Sequence, residues 1–175
     1  MARKKVIYVQ FQQIRMLDDS DDLSDGEFKF FFFVNDKLVP GQPVTIDIPF
    51  LGKKTVTPTH IFKTMGTGQT RSIDWMGYTE RVNEVKISVS GIDDDDDPDF
   101  IPTLDTQGKG VPKKPFGTGE NSVAEWATGT TTVGTPDPPT DKAVLTPFEI
   151  DANGHKKGVD LRFKVKGQVV VTFAG

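Results

Sequence analysis

The sequence predicts an all-β fold, and three features of the chain carry that prediction. Apolar and polar residues alternate with a period of two over several short runs. Those runs are punctuated by 17 glycines and 12 prolines, residues that mark turns. Aromatic residues are plentiful and mostly Phe, 13 in number, a composition that argues against wholesale disorder. At 175 residues the expectation is one domain spanning 1–175, long enough to bury a core without staples. Cysteine is absent, which removes disulfides and a cysteine nucleophile.

Taken in order, Val6 to Ile14 reads as the first strand, with Val6, Tyr8, Gln10 and Gln12 on one face and Ile7, Val9, Phe11 and Gln13 on the other. Phe28 to Val34 reads as a second and is apolar on both faces, so it is expected to lie centrally or to have its outer face covered. Further strands are expected at Val44 to Ile48, Lys54 to Thr57, Arg71 to Trp75, Val82 to Val89 and Leu145 to Ile150. The last two are Val159 to Lys166 and Gln168 to Phe173, in which Val159, Leu161, Phe163 and Val165, then Val169, Val171 and Phe173, fall on odd positions. Lys166-Gly167-Gln168 between them is either a tight hairpin or a glycine bulge within one long strand. Pro102 to Pro147 is rich in Gly, Thr and Pro and is expected as a long loop or insertion, with a turn of helix near Glu120 to Thr128 at most.

Charge is distributed unevenly along the chain. Twelve of the 25 acidic residues sit in two short segments, 18–27 and 93–99, each following a strand-like run. The other 13 acids face 21 lysines and arginines, so the modest net charge of −4 conceals an electrically polarised chain. Carboxylates packed this densely repel one another, and a hard cation with six to eight oxygen ligands relieves that repulsion. The bland alternative is a pair of solvated acidic turns, which is what most charge runs are. Neither segment has the ligand ladder or the flanking helices of an EF-hand.

The run from Val6 through Leu17-Asp18-Asp19-Ser20-Asp21-Asp22-Leu23-Ser24-Asp25-Gly26-Glu27 to Phe32 resembles the first strand, first calcium loop and second strand of C2-type calcium-binding β-sandwiches. In that family an aspartate precedes five residues and then a Ser-Asp-Pro-Tyr start to the next strand. Asp19 and Asp25 have that spacing, and Ser24-Asp25-Gly26-Glu27-Phe28 stands in the corresponding place. The later run from Val85 through Gly91-Ile92-Asp93 to Pro102 is similar to the third calcium loop, with Asp93 and Asp99 at two of its three acidic positions. Gly91 replaces the first of the three, and Pro102 stands where glycine is usual. The resemblance covers about a fifth of the chain. It implies an antiparallel β-sandwich of about eight strands whose two acidic loops meet at one tip. It also implies calcium bound by Asp19, Asp25, Asp93 and Asp99, with Asp18, Asp95 and Asp97 as further candidate ligands.

Other constellations are weak. Gly66-Thr67-Gly68-Gln69-Thr70 lacks the lysine and spacing of a phosphate loop and reads as a turn. His60 and His155 have no second ligand at zinc spacing. Arg162, Lys164 and Lys166 read equally as an anion-binding strip or as a solvated face. The first functional expectation is therefore a non-enzymatic calcium-binding interaction module docking anionic lipid or a protein, with no specific nucleic acid. The alternative is an assembly subunit, for instance a phage-like, capsid-coating or injection-apparatus component, with structural calcium or none, in which the two-faced Phe30 to Phe33 strand or the Pro102 to Pro147 loop makes the subunit contacts. An enzyme ranks third, because no nucleophile, base or cofactor signature stands out. The chain has no apolar run of signal-peptide or membrane-spanning length, so the default address is the cytoplasm, with virion, assembly and leaderless export as compatible routes.

Overall fold

The structure, a computed structural model, describes residues 3–19, 25–80, 82–93, 102–104, 110–112, 126–139, 142–154 and 161–174. Among these residues there are thirteen strands and no helix. In chain order they begin with β1 (Lys4–Asp18), β2 (Gly26–Val34), β3 (Lys37–Leu38), β4 (Val44–Ile48) and β5 (Gly52–Val56). Then come β6 (Ile61–Met65), β7 (Thr70–Glu80), β8 (Glu84–Asp93), β9 (Pro102–Leu104) and β10 (Gly110–Pro112). The last are β11 (Trp126–Gly134), β12 (Val144–Gly154) and β13 (Arg162–Ala174).

The main sheet runs β3-β2-β8-β11-β12-β13-β1-β7, with β6 also paired to β2, and its pairings are antiparallel. Along the path between its long strands the shortest join is β11 to β12, which match over only Ala127↔Gly154 and Thr128↔Asn153. There the sheet turns back on itself, so that β6, β3, β2, β8 and β11 form one layer and β12, β13, β1 and β7 the other. Aromatic contacts bridge the layers: Phe11 to Phe32 at 4.6 Å, Phe30 to Phe163 at 5.0 Å and Phe32 to Trp75 at 6.0 Å between ring centroids. The expected antiparallel sandwich is thus the fold. Each of these fully buried Phe side chains contributes about 1.5–3 kcal/mol of hydrophobic stabilisation.

Register explains which face each strand buries. In β1 the residues that join the inter-layer core are Ile7, Val9 and Phe11, then Ile14 and Met16, so the parity of the core face changes. The cause is a one-residue irregularity: Phe11 lies opposite Gly167 and Gln13 opposite Lys166, leaving Gln12 as an extra residue. β13 itself keeps odd parity from Phe163 to Val171 and is one continuous strand. Of the two alternatives at Lys166-Gly167-Gln168 the long strand is the outcome, with the bulged residue on its neighbour. Gly167 is required there, because a Cβ would run into the carbonyl oxygen of Gln10 and the ring of Phe148.

β2 meets both halves of its expectation, being central and covered outside. Phe28, Phe30, Phe32 and Val34 join the inter-layer core. Phe31 and Phe33 form a second buried cluster on the outer face with Ile92, flanked by Leu38 and Trp126, and His60 lies against the Phe31 ring at 5.2 Å.

Several expectations are corrected. The segment 102–147 contains β9, β10 and the nine-residue β11, which pairs along its whole length with β8, from Trp126↔Ile92 to Gly134↔Glu84. Residues 126–128, included in the suggested helical turn, are extended; 120–125 lie outside the described residues. β11 has little apolar alternation because Thr128 and Thr130 occupy its outer face, where Thr130 bonds Ser88 at 3.0 Å, and only Ala127 and Val133 reach the core. The strand expected at Val82 to Val89 starts at Glu84 and runs on to Asp93, and the one expected from Val159 begins at Arg162.

Candidate functional site at the acidic end

Antiparallel register gathers the ends of the acidic segments at one end of the sandwich. Gly26 pairs with Met65, Phe28 with Asp93, Ile92 with Trp126, Ala127 with Gly154, Asn153 with Arg162 and Arg162 with Asp18. Followed from strand to strand, these pairs circle a single rim. Asp18 and Asp19 leave it from β1, Asp25 re-enters at β2, and Asp93 leaves it from β8.

The best-defined group on the rim is Asp19, which is 6% exposed. Its Oδ2 accepts the backbone N–H of Thr67 at 3.0 Å and its Oδ1 accepts the Thr67 hydroxyl at 2.8 Å. In return its own N–H donates to Thr67 Oγ1 at 3.1 Å. This clasp forms because Gly66 to Gln69 is a tight turn: the Gln69 N–H donates to the Gly66 carbonyl at 3.1 Å, and Gly68 has φ +84°, as a type II turn requires at its third residue. Backbone bonds from Met16 N–H to the Gln69 carbonyl and from Gly68 N–H to the Met16 carbonyl, both 2.9 Å, stitch the same turn to β1. The turn reading of Gly66-Thr67-Gly68-Gln69-Thr70 therefore holds.

Asp25 closes on the other side of that turn. Gln69 Nε2 donates to its Oδ2 at 3.0 Å, and Arg71 donates to Gln69 Oε1 at 2.8 Å, which aims the amide nitrogen at the carboxylate. A Cβ on Gly66 would collide with Asp25 Oδ1, so the close approach depends on glycine. Asp19 and Asp25 thus attach to the same turn, Asp19 through Thr67 and Asp25 through Gln69.

Asp93 is half-buried at the end of β8 and shares the face of Val85, Ile87, Val89 and Gly91. Asp18 is half-buried opposite Arg162. Asp95, Asp97 and Asp99 lie outside the described residues. Gly91, where the resembling family carries an acid, is in the core: a Cβ there would lie 2.5 Å from one Phe163 ring carbon and 3.1 Å from a Phe30 ring carbon. No carboxylate fits at that position. Among the described residues no three acidic, histidine or cysteine side chains are grouped as a metal site. The oxygen donors present have the chemistry calcium takes, and six to eight ligands would need the acids of 93–99 as well.

The remaining charged strip is explained by its neighbours. Lys164 bonds Glu149 at 2.8 Å and Asp151 at 3.2 Å, and Lys166 reaches Glu149 at 3.2 Å. Hydrogen bonds from Lys164 and Lys166 hold the Glu149 carboxyl below its ordinary range, and Glu149 and then Asp151 raise Lys164. These cations are engaged by carboxylates on the adjacent strand, which fits a solvated face. Asp47, Asp74, Glu80 and Glu84 lie on β4, β7, β7 and β8. Glu80 is held by Lys4 and by the Tyr78 hydroxyl.

No family model matches the chain, and no curated protein matches it by sequence. Among solved structures, a C2 domain protein from Ramazzottius varieornatus is similar at 14% identity and a TM-score of 0.47, covering 98% of this chain and 90% of that one. The C2A domain of a plant Extended Synaptotagmin 1 is similar at 10% identity and a TM-score of 0.37, covering 100% of this chain and 99% of that one.

Proposed function

We propose that this chain is a non-enzymatic interaction module whose acidic end takes up calcium and, so neutralised, docks anionic lipid or an acidic protein surface. The observation that carries the reading is the shared rim, where Asp18, Asp19 and Asp25 at the facing ends of β1 and β2 come to the same end of the sandwich as Asp93 from the distant strand β8. Asp19 and Asp25 fasten the loop ends through Thr67 and Gln69 while keeping lone pairs for a cation. Asp18 and Asp93 are the proposed ligands from the described strands, completed by Asp95, Asp97 and Asp99. Bound calcium would supply positive charge and open coordination positions for phosphate or carboxylate oxygens. Isothermal titration with calcium, followed by sedimentation with phosphatidylserine vesicles, tests this. Saturable binding that falls on Asp93→Asn, with vesicle association only when calcium is present, is expected; no heat of binding to metal-free protein would refute it.

The second reading, an assembly subunit, is favoured by a different observation: among the described residues β4 and β5 pair only with each other, and their hairpin leaves large apolar side chains in solvent.

A further inference from the structure

We propose that the β4–β5 hairpin is a docking finger exchanged between two copies of this chain, each finger lying on the outer face of β7 and β1 of the other copy. This inference is independent of calcium binding.

The finger stands apart from the sandwich. Its strands form a separate two-stranded sheet, with Val44↔Val56 at the root and Ile48↔Gly52 near the tip. Val44 and Ile46, on one face, are 47% and 42% exposed, while Phe50 and Leu51 at the tip are 107% and 81% exposed. Phe50 is also held at φ +67°, a left-handed conformation unfavourable for an aromatic residue. A two-stranded hairpin of this length is marginal in water alone, and its exposed apolar face gains stability only when covered.

The acceptor is on the same chain. Met76 and Tyr78 of β7 are 44% and 53% exposed. By register Tyr78 lies beside Tyr8, Tyr8 beside Val170 and Val170 beside Leu145, so an apolar row crosses four strands on the outer face. Among the described residues six of the eight large exposed apolar side chains belong to the finger or to β7, which makes these two surfaces the ones that need a partner.

Charge selects a second copy as that partner. Lys54 lies opposite Ile46 on the apolar face of the finger, and Asp74 is exposed two residues before Met76 on the same face of β7. Neither makes an ion pair among the described residues, so apolar contact and opposite charge are available together. Lipid fits less well, because the outer edges of β4 and β5 present unpaired backbone groups that hydrocarbon cannot satisfy. The finger root (Pro43, Thr57) and the acceptor strand (Met76, Tyr78) line one groove of about 620 Å³. Donor and acceptor are therefore contiguous, and a two-fold axis closes the exchange after two copies. Reciprocity also meets the size requirement. The finger has 13 residues from Val44 to Val56, short of the roughly 20–30 residues per side of a stable interface, whereas exchange adds an acceptor face to each side.

The test is sedimentation velocity of the full chain over a range of concentrations in chelator. The wild type should form a concentration-dependent dimer. F50S/L51S should be monomeric at every concentration, with the melting temperature of the wild type diluted to its monomer, since both side chains are in solvent in the single chain. Asp74→Lys should raise the dimer Kd about tenfold, equivalent to about 1.4 kcal/mol, and adding Lys54→Glu should restore it. A wild type that stays monomeric, or a dimer untouched by F50S/L51S, overturns the proposal. So does a monomer that binds phosphatidylserine vesicles through Phe50 and Leu51, which would make the finger a lipid anchor.

Discussion

Asp19→Asn in calcium-free buffer separates two physical pictures of the acidic end, because they predict opposite signs. If Asp19 were only one carboxylate in a repulsive cluster, removing its charge would stabilise the metal-free protein by a few tenths to about 1 kcal/mol. The structure gives it another role, since both oxygens accept hydrogen bonds from Thr67 in a site 6% exposed. Asparagine keeps one acceptor oxygen and presents an NH2 group to the other donor, so a Thr67 N–H or O–H then faces a donor. Hydrogen bonds to a buried charged group contribute about 1.5–3 kcal/mol, and an orphaned buried donor costs about 1–3 kcal/mol. The hydrogen-bond loss outweighs the charge relief, and a net destabilisation of about 1–2 kcal/mol is expected. Urea denaturation in chelator measures it, with Asp96→Asn as the control for charge relief alone. A double-mutant cycle with Thr67→Ala should return a coupling of about 1–3 kcal/mol. Stabilisation by Asp19→Asn, or a coupling near zero, would refute the clasp.

Three further outcomes follow from the same structure. Calcium should raise the melting temperature of verified metal-free protein by more than magnesium does, with about 2.7 kcal/mol gained at a hundredfold excess over Kd; a scanning calorimetry trace unmoved by millimolar calcium would count against the site. The Tyr78 hydroxyl donates to Glu80, and that hydrogen bond, with burial and the Glu80 charge, pushes its pKa to about 12 from 10.0. A raised folded pKa means that its stabilisation is complete below pH 10 and is lost as pH rises through about 12. Ultraviolet titration should therefore show one late tyrosine that disappears in Tyr78→Phe, and two coincident tyrosines would contradict it. Gly91→Ala should cost about 1–3 kcal/mol in urea denaturation by forcing a methyl group against Phe163 and Phe30; a neutral result would mean that β8 can shift away from those rings.

Local periodicity carried much of the fold because a strand's alternation is written in consecutive residues. The two-faced Phe run of β2, the odd-position core of β13 and the acidic ends of β1 and β8 could all be read without any long-range information. The acidic rim was legible for the same reason: carboxylates that follow strands mark strand ends, and the resemblance supplied their convergence.

What the sequence could not specify was pairing, because which strand lies beside which depends on residues far apart in the chain. Only the tertiary structure decided that β11 sits between β8 and β12, since a Thr-rich strand has too few apolar residues to announce itself. Only it decided that Gln12 bulges and shifts the core parity of β1, a change set by the neighbouring Gly167. Spacing alone marks Asp19 as a candidate ligand, and only the folded chain places Thr67, 48 residues on, against both of its oxygens. The strand at 44–48 was correctly expected, yet nothing in its alternation distinguishes a strand that joins the sandwich from one that leaves it. That distinction is made by the presence or absence of a hydrogen-bonding neighbour, a property of the folded chain and of the surfaces it leaves uncovered.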